Sequence, residues 1–132
     1  MRASVIVPVY NQQDALLKTL HAFSVQMCNK EDFEVIVVDD GSTDGTELLT
    51  ERWLVQEYGI KIHIIHSINQ GRSFARNCGV EKAVADYVIF SDCDRIPELD
   101  FIEKHLEWKD KTDIVIGQSL DYFGKNEYIL NP

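Results

Sequence analysis

Four short apolar runs rich in β-branched residues, Ser4–Tyr10, Phe33–Val38, Ile60–Ile65 and Tyr87–Ser91, recur along the chain with a helix-length stretch between each pair. This alternation constrains the fold more than any other feature. Continuous apolar runs of that length fit strands buried on both faces. A helix between two strands returns the chain to the end where it started, so the strands pair in parallel through right-handed crossovers. The prediction is an α/β fold with three layers, α/β/α, and a mainly parallel central sheet. A further apolar run over Asp113–Gly117 predicts a fifth strand, giving the order β-α-β-α-β-α-β-α-β, and no clear period follows it.

The helices have their own signals. Leu16, Leu20, Phe23 and Met27 predict an amphipathic first helix, with Asn11 as N-cap and Asp14 in its first turn. Pro8 has no N–H for a ladder and is expected to end the first strand. Asp44 followed by Glu47 has the form of a capping box, predicting a second helix that carries Leu48, Leu49 and Trp53 and stops at Gly59. Asn69-Gln70-Gly71-Arg72 turns into a third helix. Along it Gly71, Ala75, Gly79 and Ala83 form a small-residue stripe that would let the helix lie close to the sheet. Pro97 is expected to open a fourth helix with Phe101, Ile102, His105 and Leu106 on its apolar side.

At 132 residues the chain is one domain, long enough for a sizeable core. It carries 22 acidic against 13 basic residues, a formal charge of -9. Phosphate backbones and anionic lipid head groups would repel it, so no nucleic-acid partner is expected. An anionic substrate would need local help from a metal or from placed arginines. Three cysteines, Cys28, Cys78 and Cys93, stand at no ligand spacing and predict reduced thiols in a cytoplasmic protein, with Cys78 and Cys93 as small core fillers. No secretory leader is visible at Met1-Arg2-Ala3-Ser4, and no apolar run approaches the ~18 residues of a membrane span.

In open α/β sheets ligands bind beyond the carboxyl ends of the strands. Three strand ends here carry unusual polar residues: Pro8-Val9-Tyr10-Asn11, Asp39-Asp40-Gly41-Ser42 and Asp92-Cys93-Asp94. On an extended backbone Asp92 and Asp94 would point to the same side, where two carboxylates repel unless a cation sits between them. Arg72 and Arg76 lie one turn apart on the helix leading to the fourth strand. A metal bridging carboxylates to a diphosphate, with arginines nearby, would bind a nucleotide and stabilise a departing diphosphate. Glycine-rich phosphate loops and a serine nucleophile elbow are missing.

Each feature also has a plainer explanation. Asp39 and Asp40 suit a solvated turn and a helix cap, Arg72 and Arg76 suit surface ion pairs, and Tyr10 suits packing. His63 and His66 have no acid or cysteine at ligand spacing and are expected as edge or loop residues, while Trp53 and Phe101 are expected in the core. The segment from Asp40 to Glu51 imitates a calcium loop but follows a strand, not a helix. A phospho-receiver domain is disfavoured because the acid pair follows the second strand and the fifth ends in Gly117-Gln118-Ser119, without a lysine.

Taken together, Ser4–Asn11, Val37–Asp44, Asn69–Gly79 and Phe90–Asp94 resemble the successive motifs of family 2 glycosyltransferases with the Rossmann-like GT-A fold, over nearly the whole chain. The resemblance implies transfer of a sugar from a nucleotide-sugar donor, often a UDP-sugar, to a saccharide, lipid-linked or protein acceptor with inversion. It would place Pro8 and Tyr10 at the base and Asp39 on the uracil edge. Asp40 would steady the loop or the nucleoside, and Arg76 or Arg72 would lie near the diphosphate. Asp92 would face ribose or metal, and Asp94 would bind Mn²⁺ or Mg²⁺. The family's catalytic Asp or Glu stands well downstream of Asp-x-Asp, and here neither Asp121 nor Glu127 matches it. The base is therefore expected beyond residue 132, with this chain the nucleotide-binding part of a longer transferase, or a binding module without turnover. The location implied is cytoplasmic, near a membrane if further regions carry an anchor.

Overall fold

Every connection between the first four strands runs through a helix, and the strands accordingly pair in parallel. In the computed structural model, β1 (Ala3–Val9), β2 (Phe33–Asp40), β3 (Ile62–Ser67) and β4 (Val88–Phe90) form one sheet in the order β3-β2-β1-β4. Residues 1–117 are described throughout, together with the backbone of 119–122 and 128–131. β1 pairs with β2 from Ala3 opposite Phe33 to Val9 opposite Asp39, and with the short β4 from Ser4 opposite Val88 to Ile6 opposite Phe90. β3 pairs with β2 from Ile62 opposite Val35 to Ser67 opposite Asp40.

Side-chain alternation along the strands divides the core into two layers. Val5, Val7, Val35 and Val37 pack against Leu16, Leu20 and Phe23 of α1 (Gln13–Ser24), Leu54 of α2 (Glu51–Tyr58), and Ile102 and Leu106 of α4 (Phe101–Trp108). On the opposite face Ile6, Ile36 and Val38 pack against Ala75 of α3 (Arg72–Lys82). The predicted three-layer arrangement is thus present.

The small-residue stripe does what its spacing predicts, over part of its length. A Cβ added to Gly79 would stand 2.4 Å from Ile6 Cγ2, so α3 sits on β1 at a distance that only glycine allows. Gly71 is different: it precedes the helix with φ 96° and has nothing within 4 Å of its Cβ position. Gly79→Ala is expected to destabilise the fold by about 1–3 kcal/mol through overpacking, read as a lower urea midpoint at unchanged slope. An unchanged midpoint would mean that α3 is not seated on Ile6.

Local boundary signals gave way to tertiary contacts in several places. α1 stops at Ser24, and Met27 is exposed, its N–H donating to the Leu99 carbonyl. The Asp44–Glu47 segment forms its own 3-10 turn, Thr46–Leu48, and α2 opens later, where the Thr50 hydroxyl accepts from the Trp53 N–H. Trp53 is partly exposed rather than core. α4 opens at Phe101, leaving Pro97 in the preceding loop. Asp113–Gly117 is not a strand: Ile114 and Ile116 stand exposed. A strand begins instead at β5 (Ser119–Tyr122), pairing antiparallel with β6 (Tyr128–Asn131) as a separate two-stranded sheet.

A buried acid ties the strands together at their amino ends. Glu34, with no exposed surface, accepts from the Ser4 hydroxyl (2.7 Å) and the Val84 N–H (2.9 Å), and Ser4 Oγ accepts in turn from the Ala85 N–H. His63 Nε2 lies 3.2 Å from the other carboxylate oxygen, near enough for attraction but outside hydrogen-bond alignment. Among the described residues no helix is long and apolar enough to cross a membrane.

Candidate functional site

Because the sheet is parallel, Val9, Asp40, Ser67 and Phe90 all end at one edge, and the three polar strand ends meet there. Pro8 does not end its strand, which runs on to Val9. The Ser4 N–H donates to the Tyr87 carbonyl and the Ser91 N–H to the Ile6 carbonyl, so even-numbered residues of β1 face β4. The missing N–H of Pro8 therefore falls on the β4 side, just where β4 has ended, and costs no bond to β2. Tyr10 follows it, half-exposed at the mouth of the edge.

The loops after β1 and β2 are stapled to each other. Asn11, at φ 51°, donates its N–H to Ser42 Oγ (2.9 Å) and accepts the Thr43 N–H (2.7 Å). It is thus no N-cap. The Gln13 N–H at the start of α1 donates instead to Asp44 Oδ2 (2.9 Å), while Asp44 Oδ1 accepts from Thr46. These bonds, with Gln13 foremost, hold the Asp44 carboxyl below the ordinary Asp value. Asp44 is spent on the Gln13 and Thr46 donors and Asp40 on the loop before α3, which sets both acids to hydrogen bonds and not to a calcium loop.

Asp39 and Asp40 are buried rather than solvated. Asp40 accepts from the N–H groups of Gln70 (2.8 Å) and Gly71 (3.0 Å), one on each oxygen, which fixes the loop that opens α3. Gly41, at φ 80°, lets that loop approach: a Cβ there would stand 2.6 Å from the Asn69 nitrogen. Asp39 Oδ1 accepts from the Ser42 N–H (3.0 Å), and His66 Nδ1 lies 2.8 Å from Oδ2. Both histidines therefore have acid partners, His66 with Asp39 and His63 with Glu34 and Glu51. Sequence spacing hid these pairs because the acids come from β2 and from the start of α2. A usable signal was position: Asp39 and His66 are each the penultimate residue of a strand, and parallel register sets them side by side.

Asp92 and Asp94 lie in a turn, not on an extended strand. β4 ends at Phe90, and the Arg95 N–H closes on the Asp92 carbonyl (3.1 Å). Cys93 is the anchor of that turn. Its carbonyl accepts from the Thr19 hydroxyl (2.6 Å) and its thiol donates to Gln12 Oε1 (3.0 Å), both from the α1 side. Burial, with Asp94 and Asp92 adding to it, pushes the Cys93 thiol up to about 11, in keeping with its role as a hydrogen-bond donor to Gln12. Asp92 is half-buried with Arg76 Nη2 at 3.3 Å, while Asp94 is exposed. Arg76 also lies over the Phe90 ring, 6.0 Å from its centroid, and its buried Nε has no acceptor. Arg72 stands exposed in the first turn of α3.

Among the described residues no group of three or more His, Cys, Asp or Glu is placed to hold a metal ion. The donor set still fits a hard cation of one kind. Mg²⁺ and comparable ions are commonly held by one or two carboxylates with substrate phosphates completing the shell. Asp92 and Asp94 supply two carboxylates from one turn, the donor type that such an ion takes. Two shallow concavities of about 340 and 290 Å³ lie at the amino ends of the strands, around Met1, Lys30 and Lys61 and around Arg2, Asp32 and Glu103, away from these residues. Asp121 belongs to a hairpin described by its backbone alone, and Glu127 lies outside the described residues.

The sequence matches the family model for glycosyl transferase family 2 over residues 4–131. The chain belongs to that family. This glycosyltransferase domain is 37% identical over 107 residues to the uncharacterized glycosyltransferase YfnE of Bacillus subtilis, a match covering 81% of this chain and 26% of YfnE. It superposes on S. aureus TarS in complex with UDP with a TM-score of 0.72 and 30% identity, over 84% of this chain and 32% of the other. The mannosyltransferase PcManGT from Pyrobaculum calidifontis, in complex with GDP-Man and Mn²⁺, gives a TM-score of 0.74 and 28% identity over 81% of this chain and 32% of the other. The glycosyltransferase domain thus spans about a quarter to a third of the length of these relatives.

Proposed function

We propose that the edge at the strand ends binds a UDP-sugar as donor for an inverting glycosyl transfer. The observation that carries this reading is the meeting of Asp39, Arg76, Asp92 and the exposed Asp94 at the carboxyl ends of β2 and β4 and on the adjoining α3. The UDP complex of a relative with this fold supports it.

In this reading Pro8 and Tyr10 flank the base, and Asp39 accepts the uracil N3–H with an oxygen lone pair left by its internal bonds. Asp40 holds the loop that presents Arg72. Arg76 places its unfilled donors beside the diphosphate. Asp92 and Asp94 would hold Mn²⁺ or Mg²⁺, which when bound neutralises charge on the departing diphosphate. The Mn²⁺ complex of the mannosyltransferase supports that assignment. Inversion requires a base to take the acceptor proton. Asp39 and Asp40 are engaged as hydrogen-bond acceptors within the fold, so neither is assigned as that base.

Calorimetric titration with UDP and with GDP, in Mn²⁺ and in chelator, tests the reading. UDP is expected to bind only with metal and more tightly than GDP. Tighter GDP binding would reassign the donor, and metal-independent binding would remove the cation from the site. Asp39→Asn is expected to weaken UDP about tenfold or more, the cost of one charge-assisted hydrogen bond. Equal affinity in the folded variant would remove Asp39 from the base.

A further inference from the structure

His66 lies at this edge, and the donor assignment leaves it without a task. Its ring lies between two acceptors: Nδ1 is 2.8 Å from Asp39 Oδ2 and Nε2 is 2.9 Å from the Leu49 carbonyl oxygen. Neither a carboxylate nor a carbonyl has a proton to donate. A neutral imidazole has one N–H, and its other nitrogen would turn a lone pair toward an oxygen at hydrogen-bond distance. Only the imidazolium fills both contacts. The remaining Asp39 oxygen takes the Ser42 N–H, so the buried carboxylate is gripped on both oxygens. Leu49 follows the Thr46–Leu48 turn, so the ring joins Asp39 on β2 to the loop ahead of α2.

We propose that His66 is a positioning residue for the nucleotide: as an imidazolium it clamps Asp39 in the orientation that meets the base, and donor affinity falls when that proton is lost. The proposal rests on the assignment of Asp39 to the base. The charged groups facing the ring are Asp39 from β2 and Glu47 from the turn before α2, while Glu51 at the start of α2 is engaged by His63. Burial alone would lower the imidazole's pKa. The hydrogen bonds to Asp39 and Leu49, with the charges of Asp39 and Glu47, outweigh burial and hold it above the ordinary histidine value. The clamp is therefore complete below that ordinary value and is released as pH rises through the higher folded one.

The test is UDP binding in Mn²⁺ by calorimetry from about pH 6 to about pH 9, with the His66 ring resonance followed by NMR over the same range. The wild-type affinity should fall roughly three- to tenfold across the titration of His66 itself. His66→Asn offers Asp39 one neutral donor and cannot titrate, so it should bind near the wild-type high-pH affinity with a profile that lacks this step. His66→Leu should bind about tenfold more weakly at every pH. Ionisation of the UDP phosphates affects all three proteins alike and cancels in the comparison. A wild-type profile with no step beyond that of His66→Asn, or wild-type affinity in His66→Leu, overturns the proposal. Asp39→Asn separates the two levels of the argument. If it binds UDP as tightly as wild type, the base assignment fails and takes the clamp with it. If it weakens UDP while His66→Leu does not, only the clamp fails.

Discussion

Asp94→Ala should abolish Mn²⁺-dependent UDP binding, lowering affinity about a hundredfold or more, while the protein melts at nearly the wild-type temperature. The two halves of this expectation have different causes. In the proposed site a hard cation would take two carboxylates from the described residues, one of them paired with Arg76, and would lose a large share of that ligation when the free one is removed. The stability cost is small because the Asp94 side chain is exposed and surface substitutions of this kind stay within about 0.5 kcal/mol. Its removal also takes away a carboxylate close to Asp92 and the Cys93 thiol. Calorimetry with and without metal, beside a thermal melt, checks both halves. Wild-type Mn²⁺-dependent binding in the variant would take the cation away from Asp94.

Asp40→Ala should do the reverse, damaging the fold first and binding second. The buried Asp40 carboxylate accepts the Gln70 and Gly71 N–H groups, the last two before α3. Alanine leaves both donors without their acceptor, a loss of about 2–4 kcal/mol for two charge-assisted bonds at the mouth of a helix. In a domain of this size that corresponds to a melting temperature lower by about 10 °C. Asp40→Asn should recover part of the loss, since its amide oxygen still accepts one N–H. A melting temperature unchanged in the alanine variant would show that the carboxylate does not hold the loop.

The strands and layers were legible because the information is local. Val5, Val7, Val35 and Val37 alternate with Ile6, Ile36 and Val38, and burial on both faces follows from that alone. Helix ends were less so. Met27 continues the apolar period of α1, yet the chain turns away at Ser24, where backbone contacts with the Leu99 segment take over. The candidate site was half visible. Asp39, Asp40, Asp92 and Asp94 announced themselves at strand ends, but their partners did not. Gln70 and Gly71 lie some thirty residues from Asp40, and His66 reaches Asp39 only through strand register. The period of two assigned to Asp92 and Asp94 assumed an extended backbone. Cys93, bonded to Thr19 and Gln12, bends it into a turn.

That attachment to α1 has a consequence for motion. β4 pairs over three residues with β1 alone, at the edge of the sheet, so the strand by itself gives the turn little resistance to local opening. The bonds from Thr19 and Gln12 tie the turn to α1 and to the residue before it, so turn and helix form one hydrogen-bonded unit. A ligand that binds only the closed turn stabilises that whole unit by mass action. Amide hydrogen exchange along the first turns of α1 should then slow when metal and nucleotide bind, so the helix would report occupancy of a site to which it contributes no ligand.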